Sequence, residues 1–149
     1  MKPRHAFFLR FLLAFAVLYA AGCAPLPPSP QDLEAKRFEP LPDKGVVYLF
    51  RALPDFVDDG APITVDGMMQ ATTYPGTYLR LELDPGRHRI AGFASDAGAS
   101  EFEVQAGEIR FLQQTVIRSF IGPARSQFRP VPDSYGRQAV LQYELVGAH

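Results

Sequence analysis

Behind residue 22, the prolines and glycines of this chain cut it into short apolar runs, and none has helical length and period until the C-terminal end. Proline is excluded from helix interiors and glycine weakens them, whereas short apolar runs bounded by turn residues suit strands. The expectation is a mainly β domain, a single antiparallel β-sandwich of about seven strands with a short C-terminal helix.

The local patterns fill in that expectation. Residues 45–52 carry Val46-Val47-Tyr48-Leu49-Phe50-Arg51, apolar on both faces, as in a strand buried between two layers. Residues 63–66 and 68–72 flank Asp66-Gly67, a pair that supplies the positive φ angles of a tight hairpin turn. Residues 77–83 alternate, with Leu79, Leu81 and Leu83 on one face and Tyr78, Arg80 and Glu82 on the other. Asp84-Pro85-Gly86 then turns the chain into a strand over 87–94, with His88 and Ile90 on one face. Glu101-Phe102-Glu103-Val104 alternates again, and Ala106-Gly107-Glu108 turns into the longest strand, 109–117. Pro132-Asp133-Ser134 reads as a helix start, with Ala139, Val140, Leu141, Tyr143 and Leu145 as its apolar side; a closing strand is the competing reading.

The first residues have the layout of an export signal. Lys2, Arg4 and Arg10 form a basic start, residues 11–21 an apolar run, and Ala20-Ala21-Gly22 lead to Cys23. The run is short for a membrane span, which takes about 20 apolar residues, and it is closed by Pro25, Pro27, Pro28 and Pro30. Small residues ending in cysteine resemble the bacterial lipobox, although Ala20 stands where leucine is usual. The resemblance implies cleavage before Cys23 and acylation of its sulfur. An ordinary cut after Ala21 or Gly22, leaving a free thiol, is the alternative. The resemblance further implies, since the residue after the cysteine often sorts such lipoproteins and Ala24 is not an Asp, an outer-membrane destination with the protein facing the periplasm. Two or three acyl chains hold a protein stably at a membrane where one binds only marginally.

The expected organisation is thus a signal over 1–22, an anchored proline-rich linker over 23–44, and a β-sandwich over 45–149. Residues 24–42 hold six prolines and are expected to form an extended, semi-rigid spacer. Loss of the signal leaves twelve Lys and Arg, fifteen less the three removed, against sixteen Asp and Glu, a net of −4. That acidity argues against nucleic acid as a partner. Cys23 is the single cysteine, so an intramolecular disulfide is excluded.

Val47-Tyr48-Leu49-Phe50-Arg51, Val65-Asp66-Gly67, Leu83-Asp84-Pro85-Gly86-Arg87-His88 and Ala106-Gly107-Glu108, in that order, resemble the strand and turn motifs of a family of bacterial lipoproteins of unknown function. The resemblance covers residues 45–145 and extends more distantly to PEGA and transthyretin-like modules. It implies an envelope β-sandwich closed by a short helix and brings no catalytic residue. Phe111 beside Leu112 replaces a more usual aromatic pair, and the stretch 118–129 is richer in arginine than the pattern.

Few residues offer chemistry. His5 leaves with the signal and His149 is terminal, which leaves His88, read as a packed, hydrogen-bonded structural residue. No G-x-S-x-G elbow, H-E-x-x-H pair, paired cysteines or phosphate-cradling glycine loop is present, so no cofactor or metal is expected. Asp55, Asp58 and Asp59 with Gly60 miss the spacing of a calcium loop and read as a solvated acidic loop. Tyr74, Tyr78, Phe56 and Phe128 are candidates for an aromatic platform, with core packing the plainer reading. Arg118, Arg125, Arg129 and Arg137 are the candidate ligand-binding residues, suited to lipid phosphates or anionic glycans. The leading expectation is a non-enzymatic, lipid-anchored envelope module with a membrane tether and an envelope protein partner. The alternative is a glycan- or lipid-binding lipoprotein that uses those arginines.

Overall fold

The computed structural model describes residues 27–93, 98–118 and 124–147. They form two sheets. The strands are β1 (Gly45–Arg51), β2 (Ala61–Val65), β3 (Met68–Thr73), β4 (Thr77–Leu83), β5 (Gly86–Gly92), β6 (Ser100–Val104), β7 (Ile109–Ile117), β8 (Arg125–Pro130) and β9 (Glu144–Leu145). A helix, α1 (Pro30–Ala35), precedes them, and a second, α2 (Asp133–Gln142), lies between β8 and β9. The five-stranded sheet has the order β8-β7-β1-β4-β9, and the four-stranded sheet β3-β2-β5-β6.

The mainly β sandwich with a short C-terminal helix is what the turn-punctuated sequence specifies. The strand inventory is larger than expected, with nine among the described residues, and the five-stranded sheet is mixed. β1 runs antiparallel to β4 but parallel to β7, with Tyr48 opposite Phe111, and β9 runs parallel to β4. The helix and closing-strand readings of the tail are both realised. α2 ends at Gln142, and Leu145 then pairs with Tyr78.

β1 is buried along its whole length because both sides of its sheet are covered. Val47 and Leu49 point between the sheets, where they meet Ile63, Val65, Leu79, Leu81, Ile90, Val104 and Leu112. Val46, Tyr48 and Phe50 point the other way, against Tyr78, Phe111, Ala35, Ala139 and Val140, beneath the two helices. The molecule is therefore three layers deep, helices on a sheet on a second sheet.

The proline-rich segment corrects one expectation. Its described part, 27–42, is not an extended spacer; it turns into α1 at Pro30, which packs on the five-stranded sheet. Ser29 caps the helix, its Oγ accepting the Asp32 amide at 3.1 Å, and Pro30 occupies the first turn, where no amide proton is needed. Docking decides the outcome. The Tyr48 hydroxyl donates to the Ala35 carbonyl at 2.6 Å and the Tyr78 hydroxyl to Asp32 Oδ1 at 2.8 Å. Residues 24–26 of the segment lie outside the described residues.

Candidate functional site

The two ends of the sandwich are built differently. At the end where β1 begins, the turns read from the sequence are tied to one another. Asp66 and Gly67 take φ of 51° and 80°, the left-handed pair of a tight hairpin turn. The Asp66 carboxylate accepts the Arg89 amide at 2.9 Å and lies 2.6 Å from His88 Nδ1. His88 Nε2 is 2.7 Å from the Asp84 carbonyl, and Asp84 Oδ1 is 2.7 Å from Lys44 Nζ. The Gly107 amide donates to the carbonyls of Leu41 and Lys44, both at 3.0 Å.

Both neighbours of the His88 ring are acceptors, so the doubly protonated imidazolium satisfies the pair best. Burial pushes the imidazole down, but the Asp66 carboxylate and the Asp84 carbonyl outweigh it and hold the pKa above the ordinary value. The Arg89 amide and the His88 ring hold the Asp66 carboxyl below its ordinary range. With both ring nitrogens engaged, His88 serves as a clasp between two turns.

The opposite end, where β1 stops, is organised by a residue whose role the sequence did not reveal. Arg51 is 0% exposed, and its Nε meets Asp55 Oδ2 at 2.5 Å. Nη1 donates to the Asp59 carbonyl at 2.7 Å and Nη2 to the Val57 carbonyl. Asp55 Oδ1 accepts the Phe56 amide at 2.7 Å. One guanidinium thus holds the connection between β1 and β2 from inside. The signal available was an arginine closing an apolar run, with Asp55 four residues on. That spacing is common, and only the fold shows the fork to be buried.

That connection turns Val57 inward and leaves Leu53 64% and Phe56 89% exposed. Around it are a groove of about 350 Å³ lined by Phe56, Val57, Ile117 and Arg118, and Tyr74, 49% exposed. The Tyr143 hydroxyl accepts the Leu53 amide at 3.3 Å. Tyr143 in turn lines a groove of about 370 Å³ with Pro27, Pro28 and Ser29, so the chain enters the fold beside this end.

The four candidate arginines do not converge. Arg118 pairs with Asp59, and Arg129 Nη2 donates to Gln113 Oε1 at 2.9 Å. The Arg137 guanidinium lies over the Phe38 ring at 4.7 Å and the Phe111 ring at 5.7 Å, packing α2 onto its sheet. Arg125 and Arg129 do share a face, because Ser126 is buried and Phe128 packs toward the core between them.

The acidic loop is not solvated throughout as expected: two of its three aspartates are spent on arginines, Asp55 buried on Arg51 and Asp59 on Arg118. Among the described residues no three His, Cys, Asp or Glu side chains are grouped to hold a metal ion. The four aromatics do not form a platform. Tyr78 is buried under α1, Phe128 packs on the inter-sheet core, and Phe56 and Tyr74 are exposed. Cys23 lies outside the described residues. The chain matches no protein-family model, and no curated protein matches it.

Proposed function

We propose that this chain is a lipid-anchored protein of the cell envelope, acylated at Cys23, whose β-sandwich is a non-enzymatic structural or interaction module. The observation that carries the reading is the placement of Cys23. The single cysteine stands directly behind a basic, then apolar, then small-residue leader.

The fate of the charged side chains supports the second half. His88 clasps two turns, Asp55 neutralises a buried arginine, Asp32 anchors a helix, and Arg137 covers aromatic rings. Each has a stabilising partner, and the expected partners of the module are a membrane, through the acyl chains, and another envelope protein, with an outer-membrane location facing the periplasm.

Mass spectrometry of the mature N-terminus tests the reading, with a diacylglyceryl-modified Cys23 as the expected product. Cys23→Ala should move the protein from the membrane to the soluble fraction. Recovery of an unmodified N-terminus that washes out without detergent overturns the proposal.

A further inference from the structure

The docking of α1 changes how far the domain stands from its anchor. A spacer running to residue 44 would let the sandwich swing well clear of a bilayer. Pro27 and Pro28 instead already line a groove with Gln142, Tyr143 and Glu144, so only four positions of chain separate Cys23 from a residue seated on the domain. Four residue-to-residue steps span at most about 14 Å. An acylated Cys23 sits at the boundary of headgroups and acyl chains, and the headgroup zone itself takes up roughly 5–7 Å of that reach. The domain is therefore drawn against the membrane surface.

The end drawn in is set by the entry point. Tyr143, in the entry groove, bonds the Leu53 amide, and Leu53 and Phe56 project from the same connection at 64% and 89% exposure. Isolated exposed apolar side chains are ordinary on a protein surface. These two differ in being presented by a loop held from inside by the Arg51 fork, so insertion orders little backbone that is not already ordered. Asp58, Asp59, Arg118 and Arg125 cancel in formal charge, and Arg118 is already paired with Asp59. The seat is apolar rather than electrostatic.

We propose that the 52–60 loop is a membrane-contact surface, with Leu53 and Phe56 entering the headgroup region of the bilayer that holds the Cys23 acyl chains. Two side chains bind a bilayer weakly by themselves. Tethered by the anchor, they act at a high effective concentration, and contact becomes the resting state. Met68 and Met69, the exposed apolar pair beside the Asp66-Gly67 turn, lie at the far end of the sandwich and stay in water.

This inference rests on the anchoring proposal, and its test separates the two. The acylated chain is purified from membranes with a cysteine placed at Phe56→Cys, Leu53→Cys or Met68→Cys, each exposed enough to accept the change. Acylation leaves Cys23 without a thiol, so an environment-sensitive fluorophore labels one site. The protein is reconstituted into phosphatidylethanolamine and phosphatidylglycerol vesicles whose acyl chains are brominated near the headgroup. Loss of emission is expected at residues 53 and 56, in high salt as in low, with emission kept at residue 68. An acylated, vesicle-bound protein that keeps full emission at 53 and 56 overturns the contact surface and leaves the anchor standing. A free thiol at Cys23 overturns the anchor, and the contact surface with it.

Discussion

Tyr78 donates its hydroxyl proton to Asp32 Oδ1 at 2.8 Å, across 46 positions of sequence, and so fastens the N-terminal helix to β4, an inner strand of the five-stranded sheet. Burial and then the neighbouring Asp32 carboxylate push the Tyr78 phenol well above its ordinary range, so it stays a donor at every physiological pH. The same carboxylate accepts the Leu145 amide at 3.1 Å and the Lys36 ammonium at 2.7 Å. One buried side chain thereby joins α1, β4 and β9.

Asp32→Ala leaves the Tyr78 hydroxyl and the Leu145 amide without this acceptor, at about 1–3 kcal/mol for each donor left unsatisfied. The expected result is a lower denaturant midpoint together with early proteolysis between residues 27 and 37. Unchanged protection of that segment would refute the role assigned to Asp32.

Arg51→Met strands the Asp55 carboxylate in the interior and is expected to cost about 3–5 kcal/mol, read by chemical unfolding. Arg51→Lys should recover little. A single ammonium cannot reach Asp55 and the carbonyls of Val57 and Asp59 together.

Gly136 sits where α2 crosses β7, and a Cβ there overlaps the stem of Phe111. Alanine would add up to about 1 kcal/mol of helix propensity, but overpacking costs about 1–3 kcal/mol, and the Phe111 ring is pinned by its stack on Tyr48 at 5.2 Å. Gly136→Ala is therefore expected to lower the thermal midpoint.

The His88–Asp66 clasp carries a pH signature of fixed sign. The raised His88 pKa means its stabilisation is complete below the ordinary histidine value of 6.5 and is lost as pH climbs through the folded value. The lowered Asp66 pKa means the opposite, full strength above 3.8 and loss as pH falls through the folded value. Between those two ordinary values the clasp is whole. The stability difference between the wild type and His88→Gln should shrink as pH rises from about 6 to about 9, and a difference flat across that range would show the clasp carries no charge.

The turns, and the strands they bound, are legible in the residues alone. Asp66-Gly67 turns where the pair says it must, and the alternation of Leu79 and Leu81 against Tyr78, Arg80 and Glu82 is the alternation of β4. Those features depend on backbone sterics and a two-residue period, both written within a few positions. Long-range packing is what buries Tyr78, docks six residues of a proline-rich stretch as a helix, sets β1 and β7 parallel, and closes Arg51 inward while Phe56 faces out. Each of these is settled by a partner far along the chain or by a layer packed on a face. The local pattern of Tyr78 is that of a solvent-facing residue until α1 covers it, and no window of sequence around Tyr78 contains Asp32.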